Sequence, residues 1–185
     1  MHNELRSRVA RGLEPDAECG NVPRAADMFK MVYDCDLEKS AMEHAKKCYY
    51  RKSSESERQG LGENMYAVTV RFVNKTRMAE QASQSWSKQV KIGGLGHNLI
   101  FSDDMYYKGI EEYSQMVWGN SYKVGCAVEH CPMMTFVVCQ YGPGGIEEYS
   151  QMIWAKTYKV GCAIEHCPKM TLVVCHYGPG YVFGL

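Results

Sequence analysis

Residues 110–144 read IEEYSQMVWGNSYKVGCAVEHCPMMTFVVCQYGPG, and residues 146–180 read IEEYSQMIWAKTYKVGCAIEHCPKMTLVVCHYGPG. These two stretches, called copy one and copy two below, are identical at 27 of 35 positions and are separated only by Gly145. A solenoid needs about three or more stacked repeats, and the 109 residues before copy one share nothing with it. The repeat therefore predicts one domain with a duplicated piece.

The pattern inside each copy predicts a short helix followed by an antiparallel hairpin. In copy one, the apolar residues between Tyr113 and Val117 have helical spacing. Apolar and polar residues then alternate over residues 122–129, which indicates a half-buried strand. Residues 134–141 predict a second strand, and residues 130–132 form the tight connection between the two.

The front half, residues 1–109, predicts helices with one strand among them. The helices are expected over His2 to Arg11, Asp34 to Cys48 and Met78 to Val90, the strand over Tyr66 to Val70, and a polar loop over Arg51 to Gln59. Helices placed before and between a few antiparallel strands predict an α+β sandwich.

The composition excludes several classes of protein. Twenty-one basic residues balance twenty-one acidic ones, without the basic footprint that binding to a phosphate backbone requires. No window of the sequence approaches the roughly 20 consecutive apolar residues that span a bilayer. We therefore expect a soluble chain that binds no nucleic acid.

Cysteine is abundant, and its spacing indicates disulfides rather than a metal site. The nine candidate disulfide cysteines are Cys19, Cys35, Cys48, Cys126, Cys131, Cys139, Cys162, Cys167 and Cys175. Neither a C-x-x-C motif nor zinc-finger spacing occurs among them. Disulfides persist outside the cytosol, so we expect an extracellular protein whose leader is absent from this chain.

The number of cysteines also bears on the duplication. Three precede copy one and three lie in each copy, so six could form three bridges and nine leave one thiol over. If bridges join the front half to the hairpin, the two copies compete for the same partners, and at most one copy can be fully satisfied.

Short blocks of distinctive sequence occur in order along residues 2–144. They are GLGENMY at 60–66, YSQMVW at 113–118, VGC at 124–126 and VVCQY at 137–141. These blocks resemble the signature motifs of the CAP superfamily, which joins cysteine-rich secretory proteins, antigen 5 and pathogenesis-related proteins and whose domain is also called the SCP domain. Blocks in the front half, PRAA at 23–26, MVYDC at 31–35 and AKKC at 45–48, resemble secreted hookworm proteins.

The resemblance implies an α-β-α sandwich around a small antiparallel sheet, secretion, and disulfides that join the helical half to the hairpin. It implies a CAP domain over residues 2–144 that is truncated at both ends. Copy two, residues 146–180, is then either an artefact of the gene model, with two exons joined, or a hairpin that is displaced, loosely docked or swapped onto another molecule.

Many members of the superfamily carry a cleft in which two histidines and two glutamates hold a divalent cation. In this sequence the resemblance retains Glu63, but it places Lys52 and Glu112 where histidines are expected and Gln89 where the second glutamate is expected. Copy two repeats Glu112 as Glu148. A lysine repels a cation, so we expect no metal and no other cofactor, although Glu112 could serve as a ligand.

No catalytic residue is predicted. Glu63 lacks a paired acid or histidine to exchange protons with, and no G-x-S-x-G elbow occurs. The first hypothesis is a non-catalytic binding protein that modulates a host receptor or host cells. The alternatives are a lipid or sterol carrier that uses the loop at residues 142–144, and a metal-dependent hydrolase.

Two surface features accompany this hypothesis. Asn74 begins an N-x-T sequon, which marks a candidate N-glycosylation site. The pairs Tyr49-Tyr50 and Tyr106-Tyr107 are predicted to lie in loops and are candidates for a recognition surface. Tyr122 and Tyr141 are instead expected to pack at the edge of the core.

Overall fold

The computed structural model describes residues 1–18, 20–25, 27–96 and 107–144, together with the backbone of two strands at 159–167 and 170–178. The helices are α1 (His2–Ala10), α2 (Cys35–Ala45), α3 (Glu55–Arg58), α4 (Lys75–Lys88), α5 (Val90–Gly93) and α6 (Glu111–Met116). The strands are β1 (Pro15–Asp16), β2 (Gly20–Asn21), β3 (Val32–Tyr33), β4 (Gly62–Val68), β5 (Lys123–His130), β6 (Thr135–Gly142), β7 (Lys159–Cys167) and β8 (Met170–Gly178).

The hairpin of copy one forms the centre of a four-stranded sheet with the order β3-β5-β6-β4. Strands β5 and β6 pair antiparallel, and β4 pairs antiparallel with β6 from Gly62 opposite Tyr141 to Val68 opposite Thr135. The short edge strand β3 pairs in parallel with the start of β5. The front half therefore supplies both edges of the sheet.

Helix α2 covers one face of this sheet. Asp34 caps the helix, because its side chain accepts hydrogen bonds from the backbone N–H groups of Asp36 and Leu37. The small residues Ala41 and Ala45 are buried on the side that faces the hairpin. Gly125 of β5 allows this close approach, because a Cβ atom there would overlap the backbone of α2.

The opposite face of the sheet carries the larger core. It gathers apolar residues from α1, α4 and α6, among them Leu5, Trp86 and Tyr113, against Val137 of the sheet. The expected α-β-α sandwich is confirmed, with helices on both sides of a small sheet. The helices predicted at the start of the chain, before Cys48 and around Trp86 occur within a few residues of their expected bounds.

Several local expectations were wrong. The front half contains the short strands β1, β2 and β3 in addition to the one strand that was expected there. The polar stretch predicted as a loop contains α3, whose first turn is stabilised when the carboxylate of Glu57 accepts a hydrogen bond from Ser54 N. The strand predicted from Tyr66 to Val70 is β4, which begins four residues earlier and ends at Val68. Both ends of β4 coincide with the ends of its pairing with β6, which runs from Gly62 to Val68.

The hairpin of copy two forms a two-stranded antiparallel sheet of its own, β7-β8. Its register matches that of copy one, because Cys162 lies opposite Cys175 as Cys126 lies opposite Cys139. Among the described residues, no helix is long and apolar enough to cross a bilayer.

Candidate functional site

The carboxylate of Glu63 lies near the start of β4 and is held by three donors. Its Oε1 accepts a hydrogen bond from Ser53 N at 2.8 Å, and its Oε2 accepts from Ser53 Oγ at 2.8 Å and from Gln140 Nε2 at 3.0 Å. Glu63 is only 2% exposed. These bonds offset the cost of burying the carboxylate and fix it as an acceptor within the fold.

A histidine of α2 lies beside this carboxylate. His44 Nε2 is 3.8 Å from Glu63 Oε1, but it is 2.8 Å from the carbonyl oxygen of Arg51. A carbonyl oxygen only accepts, so Nε2 carries the hydrogen and donates it to Arg51. The N–H group of the imidazole is therefore used in a hydrogen bond to the backbone two residues before Ser53.

Lys52 lies among the carboxylates of Glu63, Glu111 and Glu112. Its ammonium group pairs with the carboxylate of Glu111 at the start of α6, and the two side chains are 29% and 21% exposed. Burial lowers the pKa of Lys52 to about 8; the charges of Glu112 and Glu63 oppose this shift, and that of Arg58 adds to it. The positive charge near these carboxylates is therefore that of a lysine side chain.

Gln89 and Glu112 are hydrogen-bonded to each other on the far side of the cleft. Gln89 Nε2 donates to Glu112 Oε2 at 2.6 Å, and Gln89 Oε1 accepts from Tyr113 N at 2.9 Å. Gln89 caps the C-terminal end of α4, and Glu112 lies in the first turn of α6. The amide therefore joins the two helices and uses both of its polar ends to do so.

A chain of buried and half-buried polar groups continues from Glu112 to the first helix. Asn64 Nδ2 lies 2.9 Å from the carbonyl oxygen of Glu112 and 3.2 Å from the hydroxyl of Tyr141. His2 Nε2 is 2.8 Å from the same hydroxyl. Burial raises the pKa of Tyr141 and lowers the pKa of His2 to about 4, so both groups stay neutral near pH 7.

Comparisons of the sequence and the fold with known proteins identify the family of this chain. The profile of the Cysteine-rich secretory protein family, CAP, matches residues 1–141 and again residues 142–177. The chain belongs to the CAP family. It is 50% identical over 147 residues to an Ancylostoma secreted protein of Ancylostoma caninum, a match that covers 78% of this chain and 35% of that protein. The chain thus spans about a third of the length of this relative.

Two further CAP proteins extend the comparison. A Venom allergen 5 of Polistes dominula is 32% identical over 151 residues, covering 77% of this chain and 63% of the allergen. The crystal structure of NaASP2 with Zn²⁺ superposes with a TM-score of 0.76 at 45% identity, covering 78% of this chain and 76% of that one. The chain is therefore a hookworm-type CAP protein.

The cleft residues of this CAP chain do not fit a divalent cation. In the structure the charge of Lys52 interacts with those of Glu63 and Glu112, and Glu112 is hydrogen-bonded to Gln89. However, the ammonium group of Lys52 lies near the carboxylates that would be the ligands. Its positive charge would repel a cation bound there. Within the described ranges, no group of three or more His, Cys, Asp or Glu side chains could hold a metal ion. Glu148 lies outside the described residues.

One disulfide joins the two halves of the CAP domain, as the resemblance implied, whereas the other lies within the hairpin. Cys48, after α2, is bonded to Cys131 at the turn of the hairpin, and Cys126 is bonded to Cys139 across β5 and β6. Cys35 is a free and exposed thiol. Cys19, and the side chains of Cys162, Cys167 and Cys175 in copy two, lie outside the described residues.

The remaining candidates lie on the surface or in the core. Asn74 is exposed and caps α4, with its Oδ1 accepting a hydrogen bond from Arg77 N. Tyr49 and Tyr50 are exposed in a loop, as expected. Tyr107 is also exposed, but the chain is helical at residues 107–108, so the loop expected there is wrong; Tyr106 lies outside the described residues. Tyr141 is fully buried, and Tyr122 is instead 43% exposed.

Sequence reasoning missed the buried Arg6 of α1. Its guanidinium donates hydrogen bonds to five carbonyl groups, those of Phe29, Met116, Trp118, Gly119 and Ser121. Arg6 is 2% exposed, and burial lowers its pKa to about 10. A single arginine on a short amphipathic helix carries no sequence signal of this role, because surface arginines occur in the same pattern.

Proposed function

We propose that this CAP protein is a secreted, non-catalytic binding protein that acts on a host receptor or on host cells. The observation that carries the proposal is the self-paired cleft, in which Lys52, Glu63, Gln89 and Glu112 each bond to another group of the protein. The two disulfides and the names of the secreted and venom relatives support an extracellular location.

The cleft is a poor place for acid–base catalysis. A general base must lie within hydrogen-bond reach of a proton on the substrate. Glu63 is buried beneath its three donors, and Lys52 is held by Glu111. A substrate would have to displace these internal partners before it could meet either group.

An exposed apolar patch is the better candidate for contact with a partner. We define the edge patch as Phe29, Val32, Tyr33 and Tyr122, which lie on or beside the edge strand β3 and are 42%, 58%, 58% and 43% exposed. The rings of Phe29 and Tyr122 meet edge to face at 6.3 Å. Aromatic residues are enriched in protein interfaces, where they bury a large area at little entropic cost.

The experiment is a cell-binding assay with matched variants. Labelled protein is added to a panel of mammalian cells and measured by flow cytometry. We expect Phe29→Ser with Val32→Ser to lower binding at least tenfold, since interface aromatics dominate binding energy. Ile92→Ser removes an apolar side chain that is 83% exposed outside the patch and is the control. Lys52→Met should leave binding intact.

The opposite pattern would contradict the proposal. If Lys52→Met abolished the effect on cells while the edge-patch variant behaved as the wild type, the cleft would be the working site. The hydrolase alternative would then return. The lipid carrier remains an alternative, and lipid copurifying with the protein in native mass spectra would favour it.

We propose in addition that the cleft of this chain takes up no divalent cation, in contrast to the zinc-containing relative. Equilibrium dialysis against Zn²⁺ tests this directly. The triple variant Lys52→His, Gln89→Glu and Glu112→His restores the ligand set that the resemblance implies, and we expect it to bind zinc where the wild type does not. Zinc uptake by the wild type that Glu63→Gln removes would refute this proposal.

We also propose that Asn74 carries an N-linked glycan when the chain passes through a eukaryotic secretory pathway. The residue is exposed at the start of α4. Thr76→Ala destroys the sequon while keeping the Asn74 cap, so it should remove the glycan without removing the cap. The measurement is the mass of the secreted protein before and after treatment with N-glycosidase.

A further inference from the structure

The front half offers one seat for a hairpin, and the chain contains two hairpins that fit it. We define the seat as α2 together with the pairing edges of β3 and β4, which the hairpin of copy one occupies. We propose that the hairpin of copy two exchanges with that of copy one in the same seat, and that Cys48 bonds to Cys167 when it does.

The residues of copy one that allow docking recur in copy two. Gly125, whose missing Cβ lets α2 approach, is repeated as Gly161. Cys131, which is bonded to Cys48, is repeated as Cys167. A bulky residue at the first position would clash with α2, and any residue other than cysteine at the second could not bond to Cys48; copy two contains neither.

The polar contact made by the end of the hairpin recurs as well. The Tyr141 hydroxyl lies within hydrogen-bond distance of Asn64 and His2 in the front half, and copy two has Tyr177 at the same position. The described register of β7 and β8 is that of β5 and β6. Copy two therefore has the backbone form and the side chains that the seat requires.

The positions at which the copies differ make copy one the preferred occupant. Phe136 is fully buried against α2, and Leu172 replaces it with a smaller side chain. Gln140 donates to Glu63, and His176 replaces it. With a penalty of roughly five- to sixfold for each change, we expect copy one to be favoured by about 30-fold, which corresponds to about 2 kcal/mol.

The exchange needs only thiol–disulfide chemistry. The Cys167 thiol loses a proton, and its thiolate attacks the Sγ atom of Cys48. The bond between Cys48 and Cys131 breaks as the new bond forms, and the Cys131 thiolate takes up a proton. The numbers of disulfides and thiols are unchanged. A buffer of glutathione and its disulfide allows the two forms to equilibrate.

The sequence makes the two forms easy to distinguish by mass. Trypsin places Cys48 in the peptide 48–51 and Cys131 in the peptide 124–156. It places Cys167 in the peptide 160–169, because Lys169 replaces Met133 and adds a cleavage site before Cys175. Each form therefore yields a different disulfide-linked partner for the peptide 48–51.

The experiment is a peptide map of the monomer isolated after refolding in the glutathione buffer. In the wild type we expect a few per cent of Cys48 to be linked to Cys167, in line with the roughly 30-fold preference. Leu172→Phe with His176→Gln gives copy two the side chains of copy one at these two positions, keeps Ile164 and Lys169 of its hairpin, and leaves copy one intact. This double variant should raise the Cys167-linked fraction about tenfold or more, towards equal amounts.

A second substitution tests whether seating, and not random pairing, forms the bond. Gly161→Val, added to the double variant, would clash with α2 in the seat and should return the Cys167-linked fraction to the wild-type level or below. Glu165→Val introduces the same side chain at the position of copy two that corresponds to the half-buried Glu129, and it is the control that should leave the fraction high.

Three outcomes would overturn the proposal. They are a double variant with no more Cys167-linked peptide than the wild type, a Gly161→Val substitution without effect, and a linked peptide that occurs only in a disulfide-bonded dimer. Because the native seating of copy one is untouched in every variant, loss of the fold would not imitate any of these results.

Discussion

Acidification should destabilise the protein through His2, and replacing that residue should remove the effect. Burial lowers the pKa of His2 to about 4 in the folded state, with the N-terminal amine and Arg6 adding to the shift, against an ordinary value of 6.5. The folded protein thus holds fewer protons on His2 than the unfolded chain does between pH 6.5 and pH 4. The free energy of unfolding contributed by this group is full above pH 6.5 and falls as the pH decreases.

The magnitude follows from the two pKa values. At about 1.4 kcal/mol per pKa unit, the wild type should lose about 3 kcal/mol by pH 4 relative to a variant that does not titrate at this position. His2→Gln is that variant, because its amide can still meet the hydroxyl of Tyr141. Urea unfolding, followed by the fluorescence of the buried Trp86 and Trp118, measures both proteins from pH 7 to pH 4.

The comparison cancels the other groups that titrate in the same range, since both proteins carry them. A stability difference between wild type and His2→Gln that stays constant from pH 7 to pH 4 would refute the reasoning. It would mean that His2 is not held neutral by burial, and that the chain of hydrogen bonds through Tyr141 is open to water at its far end.

Two further predictions concern the core. Arg6→Lys should lower the free energy of unfolding by about 3 kcal/mol or more, because an ammonium cannot satisfy five buried carbonyl groups; Arg11→Lys on the exposed end of α1 should change it by less than about 0.5 kcal/mol. Phe136→Ala should cost about 3 to 5 kcal/mol, whereas Met133→Ala, at a residue that is 81% exposed, should be nearly neutral in the same urea titration.

Periodicity predicted the elements whose burial is one-sided. Helix α2 was found from the spacing of Leu37, Ala41 and Ala45, and these residues do face the sheet. The same method misplaced β4, because a strand that begins with the buried polar residues Glu63 and Asn64 has no apolar alternation at its start. Those residues are buried because the tertiary structure supplies their hydrogen-bond partners, and sequence patterns do not contain that information.

The cleft shows the same limit in another form. The family resemblance identified the positions of Lys52, Gln89 and Glu112, and the structure brings them together. It did not indicate that Glu111 would be the partner of the lysine, or that His44 would lie beside Glu63. Both contacts depend on how α6 and α2 approach β4 from opposite sides, which is a property of packing rather than of spacing.

The cleft and the duplication meet at one side chain. Gln140 of the hairpin is a donor to Glu63, and it is one of the buried positions at which copy two differs, with His176 in its place. A seated copy two would bring an imidazole against the carboxylate that already lies beside His44. The identity of the seated hairpin would therefore change which side chain faces the carboxylate of Glu63. The exchange and the self-pairing of the cleft are then coupled through Glu63, and substitutions at Gln140 or His176 act on both.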